Sequence, residues 1–187
     1  MPDEKRETIR RMRFAKGRAA SLLGLQLLKF GIRALGYDNF ALSTVSFPRG
    51  DKPHCTLPID FNISHSGDLV ACAIAADGRV GIDVERRREV RIEAFQKFLH
   101  PHERVWVGAD QRRFFELWTQ KEAIVKGFGR GGIVNLRNTV IDEREGIIED
   151  QLWSLRELNI HPDYVAHVAV DEDAAHALID TQRVFVD

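Results

Sequence analysis

Gly81-Ile82-Asp83-Val84-Glu85 alternates apolar and acidic residues, and its reading decides how the rest of the chain is folded. The apolar neighbours make it a strand, and a strand's period of two aims Asp83 and Glu85 at the same side of a sheet. Two like charges at that spacing repel in a low-dielectric pocket, so their convergence needs a cation or a raised pKa. A second stretch, Trp118-Thr119-Gln120-Lys121-Glu122-Ala123-Ile124-Val125-Lys126, has Trp118, Lys121, Glu122, Val125 and Lys126 at helical spacing. One helix face then carries a carboxylate, two ammoniums and an aromatic anchor. Magnesium takes near-octahedral oxygen ligands, with carboxylates, waters and phosphate oxygens sharing the positions, so Asp83, Glu85 and Glu122 suit it. The plainer alternatives are a surface strand end and a solvated Lys-Glu helix face.

A third stretch, Phe61-Asn62-Ile63-Ser64-His65-Ser66-Gly67-Asp68, follows a loop of turn formers from Pro48 to Pro58 and precedes the apolar run Leu69 to Ala76. Read as a Ser-His-Ser-Gly turn, it offers hydroxyls, an imidazole and free backbone N–H groups to a phosphate. A Ser64–His65 nucleophile pair is a poor reading, because neighbours on an extended segment point to opposite faces. A turn whose hydroxyls satisfy its own backbone is the bland alternative.

Asn-x-Ser-His-Ser, Gly-Ile-Asp-Val-Glu and Trp-Thr-x-Lys-Glu-Ala-x-x-Lys, in this order between Lys52 and Lys126, resemble the Sfp-type 4′-phosphopantetheinyl transferases. The resemblance implies transfer of the phosphopantetheine arm of coenzyme A to a serine of an apo acyl or peptidyl carrier protein, releasing 3′,5′-ADP. It implies Mg²⁺ on Asp83 and Glu85, Lys121 at the transferring phosphoryl group, and two candidate roles for Glu122, metal ligand or proton acceptor. By the same similarity Ser64, His65 and Lys126 contact coenzyme A phosphates. Lys52 and Pro53 resemble the family's Gly-Lys-Pro loop at the adenine, although Asp51 stands where glycine is usual. Trp118 is expected to pack and orient its helix.

The chain has 187 residues, 44% of them hydrophobic, and a net charge of −1 that hides a basic start. Lys5, Arg6, Arg10, Arg11, Arg13, Lys16 and Arg18 face only Asp3, Glu4 and Glu7. Such a helix suits an acidic or phosphate-rich partner, or is a salt-bridged solvated face. In the family it faces the coenzyme's 3′-phosphate, so Lys5, Arg10 and Arg11 are implied contacts. Larger members begin with a further strand and loop, so three expectations stand: a smaller N-terminal sheet, an edge covered by a neighbouring subunit or loop, or a true start upstream. Two cysteines, Cys55 and Cys72, with no C-x-x-C pair, and no apolar run of the roughly 18 residues that span a bilayer, make a cytoplasmic protein the expectation, with no membrane partner. His100-Pro101-His102-Glu103 lacks the spacing of a zinc site and reads as a turn and helix start.

The expected fold class is α+β: a pseudo-dimer of two similar helix-plus-antiparallel-sheet halves, the first short of a strand, divided as 1–85 and 86–187 with the site between them. The pattern predicts one long helix over Ile9 to Leu35, then strands at 41–47, 60–63, 69–75 and 80–84, with Asp77-Gly78 as a hairpin turn between the last two. Helices are predicted at 92–99, 101–108 and 111–128, a flexible stop at Gly127, Gly129, Gly131 and Gly132, and strands at 133–141, 146–149, 152–158, 164–170 and 175–180. Two alternatives stand beside the transferase. A magnesium nuclease is disfavoured because the near-neutral charge balance offers no broad positive field for nucleic acid. A non-catalytic coenzyme A or carrier-protein-binding homologue would keep the fold without turnover.

Overall fold

The computed structural model describes residues 1–130, 133–174 and 180–182. The predicted first helix is two: α1 (Asp3–Arg11) and α2 (Ala15–Ala34), broken at 12–14 by extended backbone at Met12 and Phe14. The Arg18 guanidinium donates to the Met12 carbonyl at 2.7 Å, holding the bend. Acidic residues open α1 and Arg10 and Arg11 close it, matching the helix dipole. The expected strand at 41–47 is a short 3₁₀ turn (Leu42–Thr44) followed by a single bridge from Ser46 to His54.

Two strands, β1 (Asp60–Ser66) and β2 (Leu69–Ala75), form an antiparallel hairpin. Its two-residue turn is Gly67-Asp68, with Gly67 at φ +59° where a type II′ turn needs glycine. The Ser-His-Ser segment is therefore strand, not turn. α2 lies on this hairpin with Gly24 and Gly31 inward; a Cβ there would meet Ile63 at 2.7 Å or Ile74 at 2.5 Å. Leu28, Ile32, Phe40, Val45 and Phe61 are the buried centre of that layer.

The third strand, β3 (Val80–Arg86), does not pair with β2 as the Asp77-Gly78 signal suggested. It runs antiparallel to β7 (Tyr164–Asp171), from Val80 opposite Val170 to Arg86 opposite Tyr164. The five-stranded sheet has the order β3-β7-β6-β5-β4, with β4 (Val140–Asp142), β5 (Glu145–Ile148) and β6 (Gln151–Glu157). Helix α4 (Gln111–Phe128) covers it across β3 and β7, and α3 (Pro101–Val107) and α5 (Ile133–Asn138) flank α4. The predicted helix at 92–99 is 3₁₀ (Ile92–Phe98), and the predicted strand at 133–141 is α5 and then β4. Gly131, Gly132 and most of the expected strand at 175–180 lie outside the described residues.

Packing explains why α4 sits so close. A Cβ on Gly81 would come within 1.9 Å of the Ala123 carbonyl oxygen and 2.4 Å of the Gly127 nitrogen. Phe114, Phe115, Ile124, Ile148, Trp153 and Val165 form the buried core between helix and sheet. The molecule is thus α+β with antiparallel sheets. The expected division after residue 85 falls within β3, a strand that backbone pairing assigns to the C-terminal sheet.

β1 and β3 meet through side chains. β7 holds one edge of β3, and on the other Asp60, Asn62, Ser64 and Ser66 accept from the N–H groups of Val80, Ile82, Val84 and Arg86 at 2.7, 3.1, 3.3 and 3.1 Å. The period-two alternation of β1 puts all four polar groups on one side, where they replace a backbone ladder.

Candidate active site

This side-chain ladder and α4 converge on a cleft of about 230 Å³ lined by Ser64 and His65 of β1, Asp83 and Glu85 of β3, and Trp118, Glu122 and Lys126 of α4, with Ile63 beneath. On α4 the cleft residues follow the i, i+4, i+8 row that stacks on one helix face. Trp118 is wedged among Phe95, Phe98 and Phe114, with ring centroids 5.1 to 6.0 Å away, so the aromatic cluster fixes that face.

Asp83 is 4% exposed. Its Oδ1 accepts from the Ser64 hydroxyl at 2.8 Å and from the Lys126 ammonium at 2.5 Å, while Oδ2 is buried with no hydrogen-bond partner among the described residues. Burial raises the Asp83 pKa, and Lys126 and Ser64 oppose that rise. Burial likewise raises Glu122, with Lys126 opposing and the Asp83 and Glu85 charges adding to it. Glu85 accepts at Oε2 from Ser66 and from Arg88, each at 2.8 Å.

Three carboxylates thus face one another with one ammonium among them. Among the described residues no three His, Cys, Asp or Glu side chains are gathered into a ready-made cation cage. The donor set nevertheless fits magnesium. An acceptor oxygen buried without any donor, Asp83 Oδ2, is what a cation would satisfy, and magnesium takes few carboxylates when phosphate oxygens complete its shell.

Other expected residues lie elsewhere. Lys121 does not reach the cleft: it is 0% exposed, and its ammonium donates to both Glu103 oxygens at 2.9 and 2.7 Å and to the Thr139 carbonyl. One residue along an α-helix is a rotation of about 100°, which carries Lys121 from the Glu122 face into the core. Lys52 is also committed, to Asp60 and to the Val80 carbonyl at 2.7 Å, and burial lowers its pKa; neither it nor Pro53 lines the cleft. Ser64 lines the cleft, but its hydroxyl hydrogen goes to Asp83 and its oxygen meets Val84 N–H and, at 3.1 Å, Lys126. It is an anchor for those groups, where a phosphate contact was expected. His65 is exposed at the rim.

Lys5, Arg10 and Arg11 stand on α1, away from the cleft lining. The Lys5 ammonium lies 4.7 Å from the Phe47 ring centroid and burial lowers its pKa, whereas Arg11 pairs with Glu7 at 2.9 Å. Three further residues matter that the motifs do not mark: Ser66 and Arg88, which hold Glu85, and Glu103, the partner of Lys121. The polar alternation Asp60, Asn62, Ser64, Ser66 was the available signal for the first, since it marks a strand with one polar face. Nothing local marks Glu103, 18 residues before Lys121.

A strand carrying two acids beside a helix carrying a third acid and a lysine defines a recognisable class of site, and comparison with known proteins gives the class its name. The chain belongs to the 4′-phosphopantetheinyl transferase superfamily, whose family model matches residues 79–179. It is 35% identical over 150 residues to the 4′-phosphopantetheinyl transferase gsp of Aneurinibacillus migulanus, covering 76% of this chain and 62% of that one. It is 31% identical over 137 residues to the 4′-phosphopantetheinyl transferase Sfp of Bacillus subtilis strain 168, covering 68% and 60%. The chain therefore spans roughly three fifths of the length of these relatives. A looser likeness, at 15% identity and a TM-score of 0.41 over 52% of this chain and 64% of the other, is to the crystal structure of Thermotoga maritima holo-[acyl-carrier-protein] synthase (AcpS). Among the described residues no helix is long and apolar enough to cross a membrane.

Proposed function

We propose that the protein is a magnesium-dependent 4′-phosphopantetheinyl transferase that moves the phosphopantetheine arm of coenzyme A onto a serine of an acyl or peptidyl carrier protein. The observation that carries this reading is the meeting of Asp83, Glu85, Glu122 and Lys126 in one cleft, with a buried Asp83 oxygen left unpartnered. Asp83, Glu85 and Glu122 would hold Mg²⁺, which when bound supplies charge neutralisation at the coenzyme's pyrophosphate. Carboxylates alone would repel a pyrophosphate, so a cation among them is a requirement of the chemistry.

In the proposed reaction the carrier serine oxygen forms a bond to the β-phosphorus of coenzyme A. The bond from that phosphorus to the bridging oxygen breaks, and 3′,5′-ADP leaves with the electron pair. The serine proton passes to Glu122, whose pKa burial raises from the ordinary carboxylate value, which makes it a better proton acceptor than an exposed carboxylate. Lys126, held against Asp83 and 30% exposed at its side chain, replaces Lys121 as the ammonium available to the developing phosphoryl charge. Trp118 keeps the helix face in register, and such positioning is the larger part of phosphoryl-transfer catalysis.

Intact mass spectrometry of apo acyl and peptidyl carrier proteins, after incubation with this protein, coenzyme A and Mg²⁺, tests the proposal. A phosphopantetheine-sized gain that is lost with EDTA and with Glu122→Gln supports it. Unchanged carrier masses alongside tight coenzyme A binding would assign the chain to the non-catalytic homologues instead.

A further inference from the structure

Ser66 repeats, two residues on, what Ser64 does. Its oxygen accepts from Arg86 N–H at 3.1 Å and its hydrogen goes to Glu85 Oε2 at 2.8 Å. A serine hydroxyl has one hydrogen to give, so the backbone N–H on its lone pair turns that hydrogen toward the carboxylate. The Arg88 guanidinium adds a second donor to the same oxygen at 2.8 Å, is itself tied to the Arg86 carbonyl at 3.1 Å, and lies 5.3 Å from the Phe115 ring centroid. Both bonds therefore fall on Oε2, and among the described residues Oε1 receives none. Glu85 has a flexible side chain at the edge of the cleft, and two donors on one oxygen fix its torsions and leave the other oxygen to a cation.

We propose that Ser66 is a positioning residue for Glu85, with Arg88 as its second support, and that this pair orients Oε1 as the metal-facing oxygen. The inference rests on the transferase reading above. Groups that orient metal ligands typically change metal affinity or activity by about 10–100-fold when removed. Ser66 holds Glu85 and the Arg86 N–H through its hydroxyl, so Thr, which keeps the hydroxyl, should substitute for it and Ala should not.

Mn²⁺ binding followed by electron paramagnetic resonance, without carrier protein, separates this inference from the reading it rests on. Wild type should bind Mn²⁺ and Glu85→Gln should lose it; a wild type that binds no Mn²⁺, with or without coenzyme A, overturns both claims together. Given wild-type binding, Ser66→Ala should weaken Mn²⁺ about 10-fold or more, with Ser66→Thr close to wild type. In the transfer assay Ser66→Ala should raise the Mg²⁺ concentration needed for half-maximal rate more than it lowers the rate at saturating Mg²⁺. Arg88→Gln, at a side chain 54% exposed, is a second variant that leaves the core intact and should show the same shift more weakly. Wild-type Mn²⁺ affinity in both Ser66→Ala and Arg88→Gln would overturn the positioning role alone.

Discussion

Lys121 Nζ lies 2.9 and 2.7 Å from the two carboxylate oxygens of Glu103, and neither side chain reaches solvent. Glu103 also accepts from the N–H groups of His100 and Ile141, so one carboxylate ties the start of α3, the middle of α4 and strand β4. Removing one partner of such a pair leaves an uncompensated buried charge, at a cost of about 3–5 kcal/mol. Lys121→Met should therefore lower the urea midpoint strongly, and its loss of transfer should track its loss of fold. Full stability with no transfer would return Lys121 to the catalytic set.

Glu122→Gln should behave in the opposite way. General-base catalysis contributes roughly 10²–10⁴-fold, so transfer should fall by about that much. Because burial raises the Glu122 pKa in the folded state, the protonated form is the one folding favours. Its contribution is present below the ordinary carboxylate pKa and is lost as pH rises through the folded value. The amide removes that loss, so at neutral pH the variant should melt at or above the wild-type temperature. Calorimetry beside the mass assay checks both halves.

Gly81→Ala tests the close approach of α4 to β3. The added Cβ would meet backbone at 1.9 and 2.4 Å, and backbone cannot rotate aside as a side chain can. Overpacking costs typically about 1–3 kcal/mol and more where nothing yields. A loss above about 3 kcal/mol, or failure to obtain folded protein by circular dichroism, is the expected result.

His167, on β7 opposite Asp83, is buried with Nδ1 2.8 Å from the Thr119 hydroxyl, and burial pushes its pKa down to about 4. The unfolded chain takes up a proton below the usual 6.5, so stability from keeping this ring neutral is present above 6.5 and declines as pH falls toward 4. The difference is on the order of 3 kcal/mol. His167→Gln should flatten that part of the pH–stability curve measured by urea unfolding.

The turn between β5 and β6 is Glu149-Asp150, with both residues at positive φ, +47° and +61°. A type I′ turn asks for this, and asparagine and glycine meet it with less strain. Asp150→Gly should raise stability by about 1 kcal/mol, read as a higher thermal midpoint with unchanged transfer.

Periodicity carried much of this site and misplaced part of it. Asp83 and Glu85 do face one cleft, as two residues apart on a strand must, and Glu122 and Lys126 join them from one helix face. Trp118, Lys121 and Glu122 all fitted a single broad face in the helical pattern, yet Lys121 turns inward because a buried carboxylate 18 residues earlier receives it. Grouped by sequence, Ser64, His65 and Ser66 resemble a phosphate-binding turn. Their alternation is that of a strand, and their partners lie a constant 20 residues ahead on β3. Asp77-Gly78 is a dipeptide that tight hairpin turns favour, but β3 joins β7 and not β2.

Local chemistry, then, is what the residue order determined: where the longest helices and most of the strands lie, which acids share a strand face, and that the chain is a mixed helix and antiparallel-sheet protein carrying its family's motif set. Those features depend on contacts within a few residues, where backbone periodicity governs. Tertiary structure alone decided which cation stands in the cleft, Lys126 paired to Asp83 and not Lys121, and which hydroxyls hold the carboxylates, because those outcomes depend on partners distant in the chain. A buried charge goes to whichever opposite charge the fold delivers, and no local pattern encodes that meeting.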